Sequence, residues 1–431
     1  MTDNNSNINN DAKFGMQHIL WILATFFFVY QYGVRSAVPS VLNEDLQKYF
    51  LIDATKMGGL VSMFFLAYTA MQIPVGLIID RFSSRKILIL ACLGVALGEL
   101  CFVSTNTYLV AVIGQITLGI GCSFGFVLAM KVSNDYFPKE QVAIISSISI
   151  SAGSLGPVIT SPLLAKLSTS FHWKSVVIAL GLFGVILSTL CAVIIREKFL
   201  PKIETNNEPI QRSNCGIWPT VKEILWNKQY IGLSVFSMLS LAALSAFCDT
   251  WGLTFLRHSY DFSTEEASIL VPITYAGTIV GGPIAALLAK KFSSFKKVML
   301  YETVVLAILY TILVFVHMSK IELVVLLFSL GLIGSCQFLV FPAALCCASK
   351  EIGATVTGVV NMITMLGVTI MSYLVGLALD WSRNYSGGIE YSLQDYRNSF
   401  ILLIACVVVS WIVLFFTKDV YPVEHKNGVT K

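Results

Sequence analysis

Gly76-Leu77-Ile78-Ile79-Asp80-Arg81-Phe82-Ser83-Ser84-Arg85-Lys86 wedges a packet of charge between two long apolar runs. It reads as a short, basic, tightly turned loop joining two membrane helices. A degraded copy follows as Lys290-Lys291-Phe292-Ser293-Ser294-Phe295-Lys296-Lys297, which aligns Asp80 with Lys290, Phe82 with Phe292 and Ser84 with Ser294. Lys139-Glu140 and Leu155-Gly156 likewise recur as Lys350-Glu351 and Leu366-Gly367. The chain is therefore one half written twice, as parallel copies.

Composition agrees with that reading. Hydrophobic residues make up 56% of the 431 and charged residues 13%, and mean hydropathy is +0.76, whereas a soluble domain carries about a quarter charged residues. Many of the apolar runs approach the roughly 20 residues that a helix needs to cross the hydrocarbon layer. The alternating strands of a closed barrel are not seen. The net charge of +4 comes from basic residues beside the membrane, which suits anionic lipid and gives no nucleic-acid stripe. Of the ten cysteines only Cys215 sits in a polar loop; the rest read as small packing residues, and no metal-ligand spacing or cofactor motif is present.

Twelve runs divide as six and six. The expected organisation is a cytosolic tail over 1–16, a six-helix bundle over 17–195, a linker over 196–228, a second six-helix bundle over 229–417 and a cytosolic tail over 418–431. The fold class is all-α integral membrane, with twelve transmembrane helices in two pseudo-symmetric bundles. Most of the 29 Lys and Arg fall on the side of the termini and linker, which places both ends in the cytosol, and a bacterial inner membrane is the expected location. Within the linker, Ile217 to Trp226 has helical apolar spacing with tryptophans at both ends, as in a helix lying on the inner membrane face.

Twelve helices in two similar halves, the long central loop and the charged loop after the second helix together resemble the major facilitator superfamily over about residues 17–417. Gly76, Asp80, Arg81, Arg85 and Lys86 match its loop signature, while Ser83 replaces the usual glycine and one residue is inserted. The resemblance implies that these five residues latch the cytosolic gate when the outer side is open. The fourth helix of the family often carries an arginine linked to proton handling; Gln115 stands there instead. The Gly-Pro of drug exporters is normally followed after two residues by Gly-Gly, but Gly156-Pro157 leads into Val158, Ile159, Thr160 and Ser161.

Ionisable groups at bilayer depth are costly and therefore functional candidates. Arg35, beside Tyr30, Gln31 and Tyr32 in the first helix, is suited to grip a carboxylate or phosphate. Asp249, next to Trp251 in the seventh helix, lies at matching depth, and the two are expected to approach one another when the outer side is closed. Glu99, midway along the third helix, is either a proton carrier or a structural carboxyl bonded to a neighbouring helix. Lys131 and Glu302 are expected to snorkel to the headgroups. Tyr275, Gln337 and Asn361 complete the candidate substrate-binding set with Arg35, Tyr30, Gln31, Tyr32, Asp249 and Trp251; Asp249 and Glu99 are the candidates for proton coupling.

The expected function is secondary active transport, by alternating access, of a small polar metabolite bearing a carboxylate, such as an amino acid, a short peptide or an organic acid. The proton is the expected coupling ion, in symport, and the protein is expected to act as a monomer. An exporter of amphipathic compounds is the alternative within transport, and a non-transporting membrane sensor the alternative outside it. An enzyme is excluded by the lack of a nucleophile and base pair, a metal cluster or a nucleotide loop.

Overall fold

The computed structural model describes residues 15–200, 217–348 and 352–421. The first half comprises α1 (Met16–Val41), α2 (Asn43–Phe50), α3 (Ala54–Ala70), α4 (Gln72–Arg81), α5 (Ser84–Val103), α6 (Tyr108–Cys122), α7 (Phe124–Tyr136), α8 (Lys139–Ser170) and α9 (Trp173–Ile194). After α10 (Ile217–Trp226) the second half comprises α11 (Lys228–Ser245), α12 (Gly252–Tyr260), α13 (Thr264–Leu270), α14 (Ile273–Phe292), α15 (Phe295–Phe315), α16 (Lys320–Gly334), α17 (Val340–Cys346), α18 (Gly353–Ser386) and α19 (Leu393–Phe415). No strand occurs among the described residues.

Among the described residues, eleven helices are long and apolar enough to cross a membrane, and a twelfth span follows when α2 and α3, bent by 110° from one another, are counted as one. Local sequence starts several of them: Ser83, Ser294, Ser319 and Ser392 each accept a backbone N–H of the first turn. Several spans are broken, which continuous apolar runs do not disclose. α3 gives way to α4 at Met71, just before Pro74; α6 gives way to α7 at Ser123, whose hydroxyl donates to Ile120 O at 2.6 Å; and a 3-10 turn over Ser335–Leu339 separates α16 from α17. The seventh span winds as a π-helix over Ala246–Trp251 between α11 and α12.

The halves meet along α3 and α18, along α1 and the π-helix, and where α8 meets α13 and α14. Two faces are distinguished: the linker face, carrying α10, and the distal face at the other ends of the spans. The side-chain bonds between the halves run from the distal face inward. Thr55 donates its amide and hydroxyl to Asp380 at 2.6 and 2.5 Å, and Ala54 N donates to the Tyr391 hydroxyl at 3.0 Å. Glu44 pairs with Arg257 at 2.7 Å, Asn43 donates to Thr250 O at 3.0 Å and Ser62 to Thr369 O at 2.6 Å. The pair furthest toward the linker face, among the described residues, is Asn361 donating to Gln72 at 2.9 Å.

The repeated charged loop takes a different register from the sequence alignment. Ser83 caps α5 and Ser294 caps α15, so Ser83 corresponds to Ser294, and Arg85 to Lys296. The slip arises because Ser293 adds a residue with φ 46° at the end of α14, whereas α4 passes into an extended Phe82. α10 buries Val221 and Ile224 against the second half and leaves Leu225 and Trp226 exposed.

Candidate substrate site

The seventh span brings Asp249 to the seam. A π-helix inserts an extra residue per turn, a device found mostly at functional sites. Here it presents a carboxylate that is 1% exposed and receives three hydroxyls: Ser36 donates to Oδ1 at 2.5 Å from α1, Ser245 donates to Oδ2 from one turn earlier, and Tyr275 donates to Oδ1 from α14. Three donors offset the desolvation that a buried charge would otherwise suffer.

Arg35 is one residue before Ser36, yet no ion pair joins it to Asp249. Its guanidinium lies 3.9 Å from the Tyr32 ring centroid, with Tyr68 at 5.7 Å and Phe65 at 5.8 Å, and its Nε is buried without a partner. The two groups are electrostatic neighbours without an ion pair: Tyr32 stacks edge-on against Tyr275 at 5.4 Å, so two aromatic side chains link the cation to the carboxylate. Aromatic faces hold a cation while leaving its donors available.

The other candidates divide. Gln31 is 1% exposed beside Gly125, with neither amide atom bonded; a Cβ at Gly125 would stand 3.0 Å from its Nε2. Tyr30 turns away from the seam and donates to Leu180 O at 2.8 Å on α9. Trp251 is buried and donates to Ser372 O of α18 at 3.3 Å, within the second half. Asn361 belongs to the seam bond with Gln72. Gln337 is buried in the 3-10 turn with both amide atoms unbonded. Glu99 lies within the first half, enclosed by protein, with no bond to a neighbouring helix. Glu302 does not snorkel: it is 8% exposed with Oε2 unbonded, while Lys131 pairs with Asp135 at 2.8 Å.

Around the charged loop, Arg85 donates to Ala192 O at 2.6 Å within its own half, and Arg81 and Lys86 are exposed. Gly76 has open space around it. The side chain of Asp80 lies outside the described residues, as do Lys13, Lys350 and Cys215. Ser36, Ser245, Phe65 and Tyr68 were not singled out in the sequence. Ser245 alone carried a usable signal, standing one helical turn before Asp249.

A chain of twelve spans with a charged and aromatic site at the meeting of its halves is a multi-pass membrane transporter. The sequence model of the Major Facilitator Superfamily matches residues 20–372 and 233–431, and the chain belongs to that family. It is 25% identical over 302 residues to the probable galactarate/D-glucarate transporter GudP of Bacillus subtilis (strain 168), spanning 63% of this chain and 66% of that protein. It is 22% identical over 407 residues to the probable galactarate/D-glucarate transporter GudP of Escherichia coli (strain K12), spanning 86% of this chain and 89% of that one. Among solved structures, a bacterial homolog to the human lysosomal transporter Spinster, inward-facing and unoccupied, superposes with a TM-score of 0.75 at 16% identity, over 93% of this chain and 96% of that one. The protein is a secondary transporter, not an enzyme.

Proposed function

We propose that the protein imports a sugar-acid type of anion, a small polyhydroxylated carboxylate, across a bacterial inner membrane in symport with protons. Both termini and the linker face the cytosol in this reading, and the six-span halves over 17–195 and 229–417 are the units that rock about the site.

The observation that carries it is Arg35, a cation at bilayer depth held on aromatic faces, with Nε unbonded and no carboxylate paired to it among the described residues. A planar fork in that condition suits a carboxylate from outside the chain. The unbonded amide of Gln31, one helical turn before Arg35, offers two donors and an acceptor to a hydroxylated chain. Amphipathic cargo would not need either group. The transport of galactarate and D-glucarate for which these relatives are named favours the sugar acids over amino acids and peptides. Asp249, tied to both halves through Ser36 and Tyr275, is read as the switch that senses whether the distal side is closed. The driving proton rides on a buried carboxyl, Asp249 or Glu99.

Uptake of labelled D-glucarate, D-galactonate and D-glucuronate into proteoliposomes tests the reading. Acid outside should drive accumulation of at least one of them, and Arg35→Ala should abolish it. Failure of all three sugar acids to move or to bind would overturn the substrate class.

A further inference from the structure

Glu99 of α5 is 0% exposed and neither carboxyl oxygen has a hydrogen-bond partner. Its condition contrasts with that of Asp249, Asp380 and Asp395. Asp249 receives three hydroxyls, Asp380 is bonded by Thr55 and Tyr391 and paired with Arg383 at 3.2 Å, and Asp395 accepts from Ser382 and Ser392. Those arrangements give each carboxyl hydrogen-bond donors. Around Glu99 nothing does, and an ionised, unbonded carboxylate in such a place costs far more than a neutral one.

The groups around it supply no cation. α1 brings Tyr30, whose hydroxyl is committed to Leu180 O at 2.8 Å, and α6 brings Cys122. Cys92 lies two turns back on α5 itself, against Cys191 of α9. On α7, Lys131 and Asp135 pair with each other at 2.8 Å. Close helix crossings seal the place: a Cβ at Gly98 would stand 2.6 Å from Leu118 N, one at Gly114 would stand 2.9 Å from Phe102 N, and one at Gly184 would stand 2.7 Å from the Tyr30 hydroxyl. With the distal face shut, such contacts leave solvent no way in.

Two features connect this enclosed acid to the transport cycle. Cys122, its neighbour on α6, also lies near Arg35, so the acid and the anion site share a neighbouring side chain. Cys122 is also the last residue of α6, directly before the break at Ser123, the place where the fourth span can flex without breaking a continuous ladder.

We propose that Glu99 is the proton-carrying residue of this transporter, physically separate from the anion site. A proton from the distal side forms the O–H bond of the carboxylic acid, travels enclosed while the distal face is shut, and passes to water on the linker side when movement at Ser123 opens the crossing. The ionised carboxylate then resets the cycle. The assignment rests on the anion-symport reading for its role, but the protonated acid itself can be detected without any substrate.

Two measurements on full-length protein test it. In the infrared spectrum at neutral pH, the carbonyl stretch of a protonated carboxyl should be present in the wild type and diminished in Glu99→Gln. In proteoliposomes, Glu99→Gln should keep D-glucarate exchange, which moves no net proton, within about threefold of wild type. It should also lose at least tenfold in accumulation driven by a pH gradient. An unchanged infrared band, or gradient-driven accumulation at the wild-type level, overturns the proposal. So does loss of exchange and accumulation together in a variant whose melting temperature is unaltered. If Glu99→Gln melts early, Glu99→Asp takes its place and must shift the pH dependence of accumulation while leaving exchange intact. Absence of exchange for every sugar acid in the wild type would overturn the substrate reading, and the infrared band would still decide on the proton.

Discussion

Ser83 and Ser294 do the same thing in the two halves. Each caps the third span of its half and donates its hydroxyl to an acid just past the sixth: Ser83 to Glu197 at 2.5 Å, Ser294 to Asp419 at 2.6 Å. Two residues on, Arg85 donates to Ala192 O at 2.6 Å and Lys296 to Thr417 O at 2.6 Å and Phe415 O at 3.0 Å. Basic groups at a helix C-terminus satisfy orphan carbonyls and oppose the helix dipole.

It follows that Arg85→Ala and Lys296→Ala should each destabilise the folded protein by similar amounts, about 0.5 to 1 kcal/mol. Thermal melting in detergent checks this. A large loss for Arg85→Ala alone would instead place its main partner outside its own half.

Asp380 caps a helix of the opposite half, because the first amides of α3 point at it and at Tyr391 across the seam. Asp380→Ala should weaken distal closure by about 1 to 2 kcal/mol, which is roughly a five- to thirtyfold change in population. Spin labels at Leu51 and Ile389, both exposed at that face, should report a longer mean distance in the variant. An unchanged distance distribution would show that the cap adds nothing to closure.

Tyr275→Phe removes one of the three donors on Asp249 and should cost about 1 to 2 kcal/mol, the loss expected when a buried acceptor keeps its charge but loses a partner. Ser245→Ala, which removes a donor from the same half, should lower stability without altering the spacing of the Leu51 and Ile389 labels. Ser36→Ala, which removes a donor crossing the seam, should lengthen that spacing as well.

pH should act on the distal seam through Glu44. α2, which carries it, is an eight-residue helix at the distal end of α1, bent by 110° from α3. Its bonds to His258 and then Arg257 hold its carboxyl down to about 2 from an ordinary 4.5, against the opposing effect of burial. The value is depressed in the closed form. Its contribution to closure is therefore complete above about 4.5 and fades as pH falls toward about 2. The Leu51 and Ile389 labels should separate progressively over that window, and Glu44→Gln should flatten the change. A pH response that survives in Glu44→Gln would assign it to another group.

The number of the spans was legible from the start, because apolar length is a property of the residues themselves. The pairing of Asp249 was not. Its partners Ser36 and Tyr275 come from other spans, and the small hydroxyl of Ser36 has no periodic signal to mark it. Arg35 and Asp249 were visible as rare charges at equal depth, but the aromatic pair between them depends on a π-turn that no spacing in Ala246–Trp251 announces. The register of Ser83 with Ser294 was missed for a similar reason: one extra residue in a loop is invisible until the helix caps are located.

The π-turn has a mechanical meaning as well. Removing one residue from Ala246–Trp251 would restore a regular helix and rotate everything beyond it by about 100°. Arg257 and His258 would swing off Glu44, and Thr250 off Asn43, while α11 stayed where it is. The winding of this one turn thus works as a gear between bilayer depth and the distal surface. A tightening or loosening there, driven by what Asp249 holds, would turn the distal end of the span without any sliding of the half that carries it.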